Sequence, residues 1–152
     1  MEISRQLQPA AVELSLRGRS VEEVLRELAA LIASADGGLD ADALLDGLLR
    51  RERLLSTAMG SGIAFPHCTS DRLDAPGFAL GISRKGIAAD SPDGGPVHIF
   101  FAVISPVRNP DAHLDALAAA SKVFTQSEVR SNLMAAESAD AAIAAIAAAE
   151  ER

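Results

Sequence analysis

VHIFFAVIS, Val97–Ser105, constrains the fold more than any other stretch of this chain. It is nearly continuous in apolar residues and has the length of a strand. A strand that is apolar on both sides must be covered on both sides, so it belongs in the middle of a sheet with helices above and below. The rest of the chain has to supply those covers and the neighbouring strands.

The covers are legible. SVEEVLRELAALIAS opens with Ser20 and places Glu23 three residues on, which is a capping box. Val21, Val24, Leu25, Leu28, Leu31 and Ile32 then recur at helical spacing until Gly37 and Gly38 stop them. Asp40 is the expected N-cap of a second helix running to about Arg53, with Leu44, Leu45, Leu48 and Leu49 as its apolar face. Arg50, Arg51 and Arg53 fall in its last turn, where they complement the helix dipole. Asn109 followed by Pro110 reads as the N-cap and first residue of a third helix, with Leu114, Leu117, Ser121 and Phe124 as its buried stripe. A shorter helix begins at Ser127 with Val129, Leu133 and Met134. An alanine-rich one begins at Ser138, with Ile143 and Ile146 inward.

Two further strands are expected besides the central one: Ala11–Leu16, alternating apolar and polar, and Phe78–Arg84. Ile63–Phe65 is a brief apolar segment, with Pro66 expected to end its pairing because proline has no N–H to donate. Ala89–Pro96 is a turn-rich loop. The resulting order, β α α β β β α α α, predicts one α/β domain over residues 1–152, with a central mixed sheet flanked by helices.

Composition narrows the function. The net charge is −7 and no basic stripe exists, so a nucleic-acid footprint is missing. Tyr and Trp are absent and aromatic residues make up 3%, which argues against base stacking. Cys68 is the only cysteine, so no internal disulfide can form, and a cytoplasmic location fits. The N-terminal segment lacks an apolar run of signal-peptide type, and no stretch is long enough for membrane insertion.

The chemistry-bearing residues are His67, His98, His113, Cys68 and Arg51, together with the turn at Gly60 and Gly62. No GxxxxGK[ST] string is present, which excludes a P-loop. Neighbouring residues of an extended chain point apart, so His67 and Cys68 suit neither a shared metal nor a nucleophile pair; no metal site is expected. His98, inside the apolar strand, reads as a satisfied structural histidine. His113 lies in the first turn of its helix and by pattern alone could be an ordinary exposed residue. His67 follows the small-residue segment GSGIAFP and precedes the polar CTSDR, which places it at the rim of the sheet. A neutral imidazole is nucleophilic near neutral pH, and it can carry a phosphoryl group where nearby donors stabilise the added charge.

RERLLSTAMGSGIAFPH, Arg51–His67, resembles the signature of the enzyme IIA domain of fructose/mannitol type from the bacterial phosphotransferase system, including its nitrogen-regulatory relatives. DGGPVHIFFAVISP, Asp93–Pro106, and HLDALAAASKVF, from His113, resemble two further blocks of that family. The resemblance implies that His67 accepts the phosphoryl group, through Nε2, from the phosphorylated histidine carrier protein. It implies that His113 and Arg51 stabilise the group in transfer, and that Gly60, Gly62 and Pro66 shape the loop presenting His67. The group would pass to a cysteine of an enzyme IIB domain or mark a regulated target protein. Regulation is the favoured outcome, because no feature of the chain reads a sugar. No cofactor is implied. Ala58, Ser61, Phe65 and Cys68 depart from residues common in the family without removing a reactive group. A module that docks on a partner without phosphoryl transfer is the competing reading, and the joint presence of Arg51, His67 and His113 weighs against it.

Overall fold

The computed structural model describes residues 1–152. The first elements are a short helix α1 (Ile3–Gln6), a 3-10 turn (Pro9–Ala11), strand β1 (Val12–Glu13), α2 (Val21–Ala35) and α3 (Ala41–Leu54). Five strands follow: β2 (Ala58–Gly60), β3 (Ile63–Ala64), β4 (His67–Ser70), β5 (Gly77–Ile87) and β6 (Val97–Pro106). Helices α4 (Pro110–Phe124), α5 (Ser127–Ala135) and α6 (Ala139–Glu150) complete the chain.

β6 is the central strand. β5 runs antiparallel along one side, and β3 and β4 run parallel along the other. β1 extends the sheet beyond β5 and β2 extends it beyond β3. Nine of the ten β6 residues are buried and the tenth, His98, is half-buried, as an apolar strand with two covers requires. α2 and α3 lie against one another and against β5 and β4, while α4 lies on β6 and α5 on β5. The buried apolar residues of all these layers join in one cluster, so there is a single core.

The helix starts are set by their caps. The Ser20 and Ser138 hydroxyls accept from the amides of Glu23 and Ala141, and the Asp40 and Asn109 side chains accept from Asp42 and Ala112. Each satisfies an amide that the first helical turn leaves without a partner.

Three sequence expectations are corrected and one element is added. Pairing does not end at Pro66: the strand resumes at His67 in an unchanged register, with Ile63 opposite Ile99 and His67 opposite Val103. Proline removes only a donor, and the Pro66 carbonyl still accepts from the Val103 amide at 2.9 Å. The strand expected over Ala11–Leu16 forms a ladder only at Val12–Glu13: Ala11 belongs to the preceding 3-10 turn, and past Glu13 the backbone meets β5 again where the Leu16 amide donates to the Ile82 carbonyl at 2.8 Å. Helix α4 buries Ala116, Ala120, Val123 and Phe124, and its Leu114 is 64% exposed. The helix lies close on β6, and the small alanines permit that approach. The start of the chain also forms α1, which the Glu150 carboxylate caps by accepting from the Ile3 and Ser4 amides.

No helix is long and apolar enough to cross a membrane.

Candidate active site

Alternation along β4 decides what His67 and Cys68 can do. Successive side chains of a strand point to opposite faces. Cys68 points to α3, where its Sγ would lie 3.0 Å from a Cβ placed on Gly47 and approaches the Leu44 carbonyl at 3.9 Å. Burial there raises its thiol from 9.0 to about 11, so it stays a neutral packing group. His67 points to the other face, where its ring meets that of His113 at 5.2 Å between centroids and an interplanar angle of 50°. The same face carries Phe65, Phe78, Phe101 and Phe124 in successive ring contacts, a rigid apolar floor.

His67 Nδ1 lies 2.8 Å from the Phe65 carbonyl oxygen. A carbonyl can only accept, so Nδ1 carries the proton and donates it. In the neutral ring Nε2 is then left with its lone pair. This strand geometry gives the ring one orientation and leaves its Nε2 lone pair unused by the backbone.

His113 enters from the first turn of α4, whose start is fixed by Asn109 and Pro110. Its Nδ1 lies 2.6 Å from the hydroxyl of Ser105, a fully buried residue of β6. Burial lowers the His113 pKa from its ordinary 6.5, and the positive charge His67 can carry lowers it further. The N-terminal end of a helix acts in the same direction. His113 therefore favours the neutral form at neutral pH.

Arg51 occupies the last turn of α3 and donates from Nη1 to the Leu55 carbonyl at 2.8 Å. It makes no hydrogen bond or ion pair with either histidine. The next turn of chain is clasped by Glu52, which accepts from the Thr57 amide at 2.8 Å and from the Thr57 hydroxyl at 2.6 Å.

Gly60 and Gly62 shape a turn, but not beside His67. Ser61 and Gly62 are the two central residues of the β2–β3 hairpin, and both have positive φ, 57° and 78°. That pair of values is the mark of a type I′ turn, and Gly62 suits it. Asp93 accepts from the Ser61 and Gly95 amides and from the Ser91 hydroxyl, which holds its carboxyl down at about 2. The turn lies beside the start of β6, since the Gly62 carbonyl accepts from the His98 and Ile99 amides. His67 pairs four residues further along, about 13 Å away. His98 is a structural histidine, with Nδ1 donating to the Ser83 carbonyl at 2.9 Å. No three His, Cys, Asp or Glu side chains converge as a metal site would require.

The structure thus brings together His67 and His113. It also adds Ser105 and Glu52, to which pattern gives no role. A buried serine in an apolar strand carries no signal until the fold places it under a histidine. Glu52 stands beside Arg51 in the block RERLLSTAMGSGIAFPH.

Comparison with known proteins identifies the family and the fold. Residues 5–149 match the family model described as phosphoenolpyruvate-dependent sugar phosphotransferase system, EIIA 2. The chain is 32% identical over 143 residues to the fructose-specific EIIABC component of Bacillus subtilis, covering 94% of this chain and spanning 22% of that protein's length. It is 31% identical over 135 residues to a nitrogen regulatory protein of Pseudomonas aeruginosa, covering 89% of this chain and 88% of the other. The crystal structure of nitrogen regulatory protein IIA-Ntr from Neisseria meningitidis superposes with a TM-score of 0.86 at 27% identity, over 95% of this chain and 98% of that one. The Escherichia coli enzyme IIA for mannitol, solved in complex with phosphorylated enzyme IIB, shares the fold with a TM-score of 0.79 at 18% identity, over 93% and 97% of the two chains. With the family model matched over nearly its whole length, the chain belongs to the EIIA type 2 family of the phosphoenolpyruvate-dependent sugar phosphotransferase system.

Proposed function

We propose that this protein is a phosphoryl carrier that takes its group on Nε2 of His67. One observation carries the reading: the Phe65 carbonyl fixes the proton on Nδ1 and leaves the Nε2 lone pair as the nucleophile, on the face where His113 stands. In the transfer, Nε2 forms a new N–P bond to the phosphorus of a phosphohistidine on the histidine carrier protein, as the donor's N–P bond breaks. The ring gains positive charge, and the Nδ1–H held on the Phe65 carbonyl shares it. Little covalent chemistry is asked of the protein beyond in-line positioning and charge stabilisation. His113 supplies a donor to the phosphoryl oxygens. Arg51 spends one N–H on Leu55 and has others free for the same oxygens.

A protein partner suits the surface. Leu114, next to His113, is 64% exposed, and Leu55, whose carbonyl holds Arg51, is 71% exposed. Apolar side chains left open beside charged ones fit macromolecular docking. The relatives include both transport and nitrogen-regulatory proteins, so the onward acceptor is an enzyme IIB cysteine or a regulated target.

The test is intact mass after incubation with phosphoenolpyruvate, enzyme I and the histidine carrier protein. Wild type is expected to gain one acid-labile phosphoryl group and His67→Ala none. No adduct on wild type, with the upstream proteins shown active, would replace this reading with a docking module.

A further inference from the structure

The two rings of the site are both anchored through Nδ1, but to groups of opposite character. His67 rests on a carbonyl, which can only accept. His113 rests on the hydroxyl of Ser105, which has a proton of its own to place. Ser105 is 0% exposed, and its bond to His113 is the one hydrogen bond its side chain makes.

Two arrangements satisfy the 2.6 Å distance. In the first, Ser105 Oγ–H donates to Nδ1, and the neutral ring carries its proton on Nε2. In the second, Nδ1–H donates to Oγ, and the hydroxyl proton is stranded in the interior without an acceptor. A buried donor left unpaired incurs its full desolvation penalty, so the first arrangement wins. Nε2 lies across the ring from Nδ1, on the side away from the buried hydroxyl.

We propose that Ser105 is a positioning residue, whose hydroxyl holds His113 as the Nε2–H tautomer so that this N–H can donate to the phosphoryl group on His67. The two Nε2 atoms then have complementary roles, a lone pair on His67 and a donor on His113. Ser105 also resists a second proton on His113, because Nδ1–H would turn the hydroxyl into an acceptor and strand its proton. Burial favours the neutral ring in the same direction. The donor is thereby ready before the phosphoryl group arrives and needs no reorganisation during transfer.

The inference rests on His67 carrying the phosphoryl group, and its test separates the two claims. The full chain, labelled with nitrogen-15 in its histidines, is examined by long-range nitrogen–proton correlation above the His113 titration. Wild type is expected to show His113 with Nδ1 unprotonated and Nε2 protonated. Ser105→Ala is expected to give a mixture of tautomers and to slow phosphoryl uptake from the histidine carrier protein about fivefold to tenfold, the worth of one hydrogen bond. Ser105→Thr keeps the hydroxyl and is expected to restore both. An Nδ1–H tautomer in wild type overturns the inference. So does a change of tautomer without a change of rate, or a change of rate without a change of tautomer. If wild type takes no phosphoryl group at all, the carrier reading fails and the positioning role falls with it, while the nitrogen shifts still decide the tautomer.

Discussion

His67 and His98 lie on adjoining strands of one sheet, and each donates Nδ1–H to a backbone carbonyl, that of Phe65 at 2.8 Å and that of Ser83 at 2.9 Å. Both rings therefore hold an Nε2 lone pair when neutral. Their other edges differ. A Cβ placed on Gly86 would lie 2.9 Å from His98 Cε1 and 3.1 Å from its Nε2, so backbone closes over that edge. The His67 ring instead meets a second imidazole, and Leu114, next to that His113 on α4, is exposed. Orienting a lone pair is thus a property many structural histidines share. A reactive site also needs a donor opposite the lone pair and room for the group to arrive.

Substitution at the donor should break the comparison most sharply. His113→Ala is expected to slow phosphoryl uptake by His67 about a hundredfold to a thousandfold, the range for losing a preorganised donor to developing charge. His98→Gln is expected to leave the rate within about twofold. Rapid-quench labelling from the phosphorylated histidine carrier protein measures both. Equal slowing in the two variants would mean that the rate reports sheet integrity and that His113 has no special part.

Stability should distinguish the two histidines in the opposite sense. Gly86 has φ of +86° and sits under the His98 ring. Gly86→Ala is expected to cost about 2–4 kcal/mol, from left-handed strain and overpacking together. Urea unfolding reads this, with the phosphoryl uptake of the folded fraction unchanged. In the double variant Gly86→Ala, His98→Ala the clash with the ring is relieved while that with Pro96 Cβ, also at 2.9 Å, remains, so the double variant should cost less than the sum of the two single variants by part of the Gly86→Ala cost. Strict additivity would show that Gly86 does not press on His98.

Much of the frame was legible because it depends on neighbours in sequence. Ser20, Asp40, Asn109 and Ser138 cap the helices their spacing predicts, and β6 is buried on both faces as its composition demands. What pattern missed depends on partners far along the chain. α1 is only four residues long and is held by Glu150, at the far end. Arg84 donates to the carbonyls of Leu14, Met134 and Ala136, tying β5 to segments 50 or more residues away. Proline at position 66 looked like an end because its missing donor is local, whereas its acceptor is used across the sheet by Val103. Within the site, His67 and His113 were found through motif blocks. Ser105 carried no motif, since its role exists only once α4 is laid over β6.

The smallest expected effect concerns the coupling that His98 lacks. The folded-state pKa of His113 lies below 6.5, first through burial and then through the charge of His67. Between that lowered value and 6.5, the unfolded chain binds a proton that the folded chain refuses. Stability therefore falls as the pH drops below about 6.5, and the contribution is fully present above it. Asp93, lowered from 3.8 to about 2, loses its contribution only as the pH falls below its unfolded value, in more acid solution than the pH range of this measurement. Urea midpoints measured from about pH 8 to pH 5 should decline on the acid side in wild type and decline less in His113→Ala. His67→Ala should lie between them, because it removes the charge of the neighbour and leaves the burial. A decline in His67→Ala equal to that of wild type, with His113→Ala still declining less, would show that the charge of His67 does not act on His113, and the pairing that sets His67 apart from His98 would then be one of proximity alone.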